Sequence, residues 1–355
     1  MLHIFPSFSY GGQQARLAAL ARGLGRGYRH FVVALDGDHA ARALFTRDIK
    51  ASFSTLKMKK SSGLSPSNIW RLRRIIKEIS PDLLCTYNWG SIEAVIANGF
   101  TAKAPHVHFE DGFGPGEALD NQSKRRVMAR RFLLKNATIV VPSTGLERTA
   151  AEQWKLKQVR RIENGVDFDR LQIGQRAHSA SLIVGSLGAL RPEKNYARLI
   201  AAFIAADRSK GARLEIVGSG PEHDRLRAIA RDDDRISLPG PSSKPAEVYA
   251  KFDIFALSSD TEQAPISLME AMAAGLPVVA TKVGDIADMV AEENLSYITP
   301  PGDDEAYTHA LAQLLQNPSA RAAIGAANRK RAKEAFSLDR MVDAHRLLYQ
   351  QVMER

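Results

Sequence analysis

The stretch from Phe252 to Ala280 limits the fold of this chain more than any other. Phe252 to Leu257 is an apolar run of strand length, and Leu276-Pro277-Val278-Val279-Ala280 is another. Between them lie a polar loop and a short helical segment, with Pro265 ahead of it and Gly275 behind. Pro265 suits the first helical position, where its missing N–H would have no partner anyway. Gly275 suits the residue just past the helix, where positive φ is common. Strand, polar loop, short helix, strand is the parallel crossover unit. Strands alternate with helices through both halves of the chain, so the expected class is α/β with parallel sheets.

Two carboxylates sit in this unit, Glu262 in the loop and Glu270 about a turn and a half inside the helix. The amides of Ile266, Ser267 and Leu268 fall in the first turn and lack intrahelical acceptors. With the helix dipole they form an anion site. An acid, an anion cradle and a second acid in series suit a nucleotide-sugar: sugar, diphosphate, ribose. Two glutamates alone would read as a solvated loop and an exposed helix residue; the ordered context separates the two readings.

That context resembles the family 4 glycosyltransferases, retaining enzymes of the GT-B fold. The residues that carry the resemblance are Glu262, Pro265 and Glu270, then Ala271-Met272-Ala273-Ala274-Gly275-Leu276-Pro277-Val278-Val279. The resemblance covers nearly the whole chain, is strongest from Gly185 to Gly284, and is weaker before Pro142. It implies two Rossmann-like domains with parallel sheets facing a central cleft. The donor is expected mainly on the second domain and the acceptor on the first.

Length and charge agree with two modules. At 355 residues the chain exceeds the ~150 of a typical domain. Residues 1–175 carry 27 Lys and Arg against 15 Asp and Glu, and residues 176–355 carry 22 against 24, so the net +10 resides in the first half. A basic first half and a near-neutral second suggest different partners. The single cysteine, Cys85, excludes an internal disulfide and fits a reducing compartment. No apolar run approaches the ~20 residues of a membrane-spanning helix. The chain enters an apolar strand at once, without a basic leader, and a cytoplasmic protein is expected.

In the first half, His3 to Phe8 reads as a strand, followed by Gly11-Gly12 and a helix from Gln13 to Leu24, the doubly wound opening. The resemblance puts Gly12 in a loop facing the donor phosphate and the acceptor. G-x-G-x-x-G is absent there, against a nicotinamide enzyme. In the helix from Arg71 to Ile79, Leu72, Ile75, Ile76 and Ile79 face a core. Val107 to Phe109 ends in Glu110 and Asp111, then a Gly/Pro loop with Gly114, Pro115 and Gly116. Many family members end this strand in a histidine near the sugar and acceptor; here Glu110 takes its place, with Asp111 beside it. These acids either bind acceptor hydroxyls or assist proton removal, or they cap the strand in an exposed turn. His106 and His108 have no further ligand at metal spacing and read as structural.

Residues 123–137, SKRRVMARRFLLKNA, form a basic amphipathic helix. Val127, Met128, Phe132 and Leu133 make one broad face; Lys124, Arg125, Arg126, Arg130, Arg131 and Lys135 fill much of the rest. It is a surface helix packed on its sheet, a helix that also lies against anionic lipid, or a nucleic-acid face. No zinc knuckle, RNP-like strand or run of exposed aromatics supports the last.

Asn164-Gly165-Val166-Asp167 matches the place where the family closes its first domain. The expected division is 1–170 with a returning helix 338–355, a linker 171–180, and 181–337. In the second domain Leu182 to Gly188 is a strand, followed by Arg191-Pro192-Glu193-Lys194-Asn195. The family has an arginine just after Gly188 and a lysine five residues on, both neutralising the donor diphosphate. Here Ala189 occupies the first position, Arg191 is its substitute, and Lys194 is the second cation. Gly218-Ser219-Gly220-Pro221 matches a glycine element at the donor cleft, where Gly218 permits close backbone approach. Leu238 lies where the family holds the base by main-chain contacts. Asp232-Asp233-Asp234 resembles a metal-binding Asp-x-Asp but falls between a helix and a short strand, and reads as a solvated turn.

The resemblance therefore implies transfer of a hexosyl unit from a UDP- or GDP-sugar to a glycan or lipid-linked glycan hydroxyl in cell-surface polysaccharide synthesis. Glu262 is expected at the sugar and Glu270 at the ribose. Cations and amides at the leaving phosphate do the work of a metal, so no metal or other cofactor is expected. Two readings of other classes stand beside it. One is a GT-B nucleotide-sugar epimerase, which needs no acceptor. The other is a basic, non-catalytic module binding membrane or nucleic acid.

Overall fold

The computed structural model describes residues 1–56, 58, 64–99, 103–113, 121–171, 181–207, 211–231 and 233–354. Residues 172–180 of the expected linker 171–180, the loop with Gly114, Pro115 and Gly116, and Asp232 lie outside them. The chain divides into two compact units, Met1–Asn164 with Leu338–Arg355, and Gly165–Ser337.

The first unit runs β1 (Leu2–Phe5), α1 (Gly12–Leu24), β2 (His30–Ala34), β3 (Ala51–Thr55), α2 (Pro66–Ile79), β4 (Leu84–Tyr87), α3 (Ile92–Ala97), β5 (His106–Phe109), α4 (Lys124–Leu133), β6 (Thr138–Val141), α5 (Thr144–Glu152) and β7 (Val159–Arg161). Its strands form one parallel sheet in the order β3-β2-β1-β4-β5-β6-β7. The second unit runs β8 (Leu182–Leu187), α6 (Tyr196–Ala206), β9 (Ala212–Val217), α7 (His223–Ala230), β10 (Ile236–Gly240), α8 (Pro245–Tyr249), β11 (Ile254–Leu257), α9 (Ile266–Ala273), β12 (Val278–Thr281), α10 (Ile286–Met289), β13 (Ile298–Thr299), α11 (Asp304–Gln316) and α12 (Pro318–Ala335). Its sheet, also parallel, is ordered β10-β9-β8-β11-β12-β13. Strand order reverses between β1 and β4 in one unit and between β8 and β11 in the other. In open α/β sheets such a reversal opens the crevice where ligands bind.

The apolar runs of the opening stretch are explained by two-sided burial. In β11, Phe255 packs on one face of the sheet, and Ile254 and Ala256 pack on the other. In β12, Val278 and Ala280 face α9 and α12, while Val279 faces Phe203 and Leu311. Alternate side chains leave opposite faces of a strand, and both faces here are covered, so Ile254 to Leu257 carries no polar residue; Asp253 lies just ahead of the strand and accepts from the Ile183 amide.

The last helix, α13 (Leu338–Met353), joins the first unit. Its Met341, Val342, Leu348, Tyr349 and Val352 share a core with Phe5, Leu17, Leu20 and Leu24. Each such side chain contributes roughly 1.5–3 kcal/mol of burial. Gly23 of α1 is the contact point: a methyl there would stand 2.4 Å from Val342.

Two local expectations are corrected. Pro265 is not the first helical residue but the one before it, with extended backbone at φ −68° and ψ 123°. Its carbonyl accepts from the amides of Leu268 at 3.1 Å and Met269 at 3.3 Å, so Leu268 leaves the set of open first-turn amides, and Ile266 and Ser267 remain. In α4, Arg130 does not face outward with the other cations. It is 1% exposed, its guanidinium 4.8 Å from the Trp154 ring centre, 5.2 Å from Trp89 and 5.6 Å from Phe113. The four residues expected on one apolar face are divided: Val127 and Leu133 pack against the core, while Met128 and Phe132 are 71% and 68% exposed. The helix is seated by a caged cation, which turns this apolar pair outward. Among the described residues no helix is long and apolar enough to cross a membrane.

Candidate active site

In the second unit the loops after β8 and β11 are neighbours across the strand-order reversal, and they are bonded to each other. The Asp260 amide donates to the Glu193 carbonyl at 2.8 Å, and Ser258 Oγ donates to the Lys194 carbonyl at 3.0 Å. Arg198, on the first turn of α6, clasps the same loop: its guanidinium donates to the Ser258 carbonyl, Asp260 and Asp304. Gly284 completes the seat. A Cβ there would lie 2.4 Å from the Glu262 carbonyl oxygen, so only glycine lets the loop after β12 pack this close.

This scaffold brings Lys194 and Glu262 together. Lys194 Nζ donates to Glu262 Oε1 at 2.5 Å, and Ser259 Oγ donates to the same oxygen at 2.8 Å. The Glu262 side chain is 9% exposed and that of Lys194 22%. Both bonds end on Oε1; among the described residues Oε2 has no partner. An ammonium carries three N–H donors, so Lys194 keeps two for another acceptor.

Glu270 is held in the same manner on α9. The buried Tyr249, at the end of α8, points its hydroxyl at Glu270 Oε2 at 2.9 Å and at the Ser267 carbonyl at 3.1 Å. Oε1 of Glu270 has no partner among the described residues. Burial pushes the Glu270 carboxyl up to about 7, against the opposing effect of the Tyr249 hydrogen bond. Each acid of the stretch therefore has one oxygen tethered by protein and one open. The open amides of Ile266 and Ser267 lie between them in sequence.

Other expected positions in this unit are more varied. A Cβ on Gly218 would lie 1.8 Å from the Gly188 carbonyl oxygen, so Gly218 lets the loops after β8 and β9 touch, while a Cβ on Gly188 would lie 2.9 Å from the Tyr196 hydroxyl of α6. Leu238 is partly buried in the core beneath β10. Arg191 is 58% exposed, and its ion partner is Glu193, at 3.9 Å. Asp233 belongs to an ion cluster with Arg235 and Asp207.

The first unit presents its acids differently. Gly12 begins α1, next to Gly11, whose carbonyl accepts from the Ala15 amide. Asp111 has both oxygens engaged: Arg16 grips it with two nitrogens, and Gln13 Nε2 donates to Oδ2 at 2.6 Å. Burial opposes the charge of Arg16, but Asp111 more than offsets it and raises its pKa. Glu110 is fully buried; its Oε2 takes Arg130 Nε at 3.3 Å, and His108 Nε2 lies 3.5 Å away. Asp111 has no oxygen left over, and the spare Oε1 of Glu110 is buried without a partner. A hydroxyl would have to displace Arg16 to use Asp111. Thr86 Oγ1 joins His106 and His108 at 2.8 Å each, and burial lowers His106 to about 3, so it is a neutral core histidine.

Tyr249, Ser259 and Arg198 were not picked out from sequence. The tyrosine ends the short segment leading into the organising stretch, and only the fold shows that it reaches a carboxylate 21 residues on.

Two parallel doubly wound units, the second with paired acids at its reversal, define the GT-B class of architecture. Two family models match adjoining parts of the chain. Glycosyltransferase Family 4 matches residues 10–170, and Glycosyl transferases group 1 matches residues 169–331. The chain belongs to the family 4 glycosyltransferases.

Among curated relatives, N-acetyl-alpha-D-glucosaminyl L-malate synthase of Bacillus anthracis is 27% identical over 46% of this chain and 44% of its own length. The GDP-mannose-dependent alpha-mannosyltransferase of Mycobacterium tuberculosis is 27% identical over 66% of this chain and 65% of its own. The match thus spans about half the length of the first of these. Among solved structures, sucrose-phosphate synthase from Thermosynechococcus elongatus superposes with a TM-score of 0.82 at 19% identity, covering 99% of both chains. HepE of Anabaena, in complex with UDP, gives 0.79 at 20% identity, again covering 99% of both.

Proposed function

We propose that the protein transfers a hexosyl unit from a nucleoside diphosphate sugar to a hydroxyl of a glycan or lipid-linked glycan, with retention at the anomeric carbon. The observation that carries this is the pair of half-tethered acids, Glu262 and Glu270, with Lys194 on the first and free helix amides between. Glu262 Oε2 accepts from sugar hydroxyls, and Glu270 Oε1 accepts from the ribose. Lys194, with the amides of Ile266 and Ser267, faces the diphosphate. As the bond from the anomeric carbon to the phosphate oxygen breaks, negative charge grows on that phosphate. A lysine already fixed by Glu262 needs no reorganisation to meet it. The acceptor oxygen bonds to the same face of the sugar and gives its proton to the departing phosphate oxygen, so no covalent glycosyl-enzyme is required. Fixed protein nitrogens serve the phosphate, and the reading requires no metal. Arg16, Asp111, Glu110 and Arg130 shape the first unit's loops and position rather than touch the reacting atoms.

Several comparisons support a nucleotide-sugar donor: structures of Anabaena HepE contain UDP or UDP-glucose, and the mycobacterial relative is GDP-mannose-dependent. We further assign the protein to cell-surface polysaccharide synthesis at the inner face of the cytoplasmic membrane. The outward Met128 and Phe132, beside Lys124, Arg125, Arg131 and Lys135, suit anionic lipid, which attracts each basic residue by roughly 1 kcal/mol. Nucleic acid is not a partner in this reading.

The test is a thermal-shift screen with UDP, GDP and their hexoses, followed by incubation of the stabilising donor with and without glycan or lipid-linked acceptors. Stabilisation by one nucleotude-sugar series and acceptor-dependent release of its nucleotide are expected. An epimerised sugar and free nucleotide from donor alone would replace transfer with isomerisation. No stabilisation by any of these ligands would overturn the reading.

A further inference from the structure

We infer that Tyr249 is a positioning residue that makes the second unit select ribonucleotides over 2′-deoxyribonucleotides, by fixing which oxygen of Glu270 faces the ligand. The inference rests on the proposed nucleotide site and deepens it.

The argument is one of orientation. Glu270 sits on α9, and among the described residues the hydrogen bond that orients its carboxylate comes from Tyr249. Tyr249 is fully buried, and its ring packs against Phe252 and Phe255 at centroid distances of 6.2 and 5.8 Å. Its hydroxyl is therefore a fixed point. That hydroxyl has one proton and two acceptors in reach, the Ser267 carbonyl and Glu270 Oε2. An ionised carboxylate is the stronger acceptor, so the proton goes to Glu270 and pins Oε2 inward. Oε1 is then the oxygen left for a ligand. A carboxylate fixed in this way discriminates sharply between a sugar with a hydroxyl and one without, because the missing partner leaves a desolvated acceptor unpaired. A carboxylate free to rotate turns toward water instead and loses much of that penalty.

Tyr249→Phe removes the hydroxyl and keeps the ring in its core. Binding of UDP and GDP, and of dUDP and dGDP, is measured by calorimetry on wild type and variant, with melting curves to confirm that both are folded. Wild type is expected to prefer the ribonucleotide by about tenfold or more, the scale of one lost hydrogen bond to a charged group. In Tyr249→Phe the preference should narrow to about threefold or less, through weaker ribonucleotide binding, while deoxyribonucleotide affinity stays within about twofold. Glu270→Gln should narrow it likewise. A purely structural tyrosine would lower affinity for both sugars equally, and that result overturns the inference while leaving the nucleotide site intact. An unchanged preference in Tyr249→Phe, or no preference in wild type, also overturns it. If wild type binds neither UDP nor GDP, the donor site itself fails, and the role of Tyr249 falls with it.

Discussion

Removing the Lys194 ammonium gives the sharpest test of the donor site, because its effects on affinity and on stability separate. Lys194 Nζ bonds Glu262 Oε1 at 2.5 Å and keeps two N–H donors. A charge-assisted hydrogen bond to a diphosphate oxygen is worth roughly 1.5–3 kcal/mol, so Lys194→Ala should weaken binding of the nucleoside diphosphate by about 10- to 150-fold. The loss in the unliganded protein is smaller. The pair is only partly shielded, with side chains 22% and 9% exposed, and Ser259 still holds Glu262. A cost of about 1–2 kcal/mol lies between the values for exposed and buried pairs. Glu262→Ala should act in a different place. It should leave diphosphate affinity within several-fold and abolish most of the extra affinity of the nucleotide-hexose over the bare nucleotide. In urea melts the double variant should lose less than the sum of the singles, by about 0.5–2 kcal/mol, because neither group is then stranded. Calorimetry on folded variants reads the affinities. A folded Lys194→Ala protein that binds diphosphate within twofold of wild type would refute the assignment of this lysine to the phosphate.

Donor affinity should fall as pH drops through about 7, where the buried Glu270 takes up a proton and its open oxygen ceases to be a carboxylate. Glu270→Gln should flatten that profile in calorimetric titrations from pH 5.5 to 8.5. The same raised carboxyl binds its proton more tightly folded than unfolded. It therefore favours the folded state at low pH, and this contribution is lost as pH rises from about 4.5 to about 7; urea midpoints of wild type against Glu270→Gln over that range measure it. Asp111→Ala, which removes the charge partner of the buried Arg16, should destabilise by about 3–5 kcal/mol; a melting temperature within 2 °C of wild type, about 1.5 kcal/mol for a chain of 355 residues, would place that pair among dispensable contacts. Phe132→Asp with Arg125→Glu should abolish sedimentation with anionic vesicles without lowering nucleotide affinity; unchanged sedimentation removes the lipid surface.

The second unit was the more legible from sequence, and the reasons are physical. Glycine and proline mark the ends of its elements, and two-sided burial writes β11 and β12 as unbroken apolar runs. What escaped were bonds between residues distant in the chain. Ser259, Arg198 and Tyr249 are common residue types with no local signature, and their work depends on which loops the sheet places side by side. Periodicity located α4 but misassigned its faces, because it treats every arginine as solvent-seeking; Arg130 is drawn inward by three aromatic rings and by Glu110. Pro265 was displaced by one residue because a proline serves equally well just before a helix, where its carbonyl can still accept the first bonds.

The helix α13 has a consequence for biogenesis. The sheet of the first unit and α1 are made before the second unit, yet Leu348, Tyr349 and Val352, which close their core, are made only after it. At ~5–20 residues per second, the span from Asn164 to Leu338 keeps that surface waiting for roughly ten to thirty seconds. Until α13 is made, the apolar side of α1 that it covers, Leu17, Leu20 and Leu24, lacks its partner.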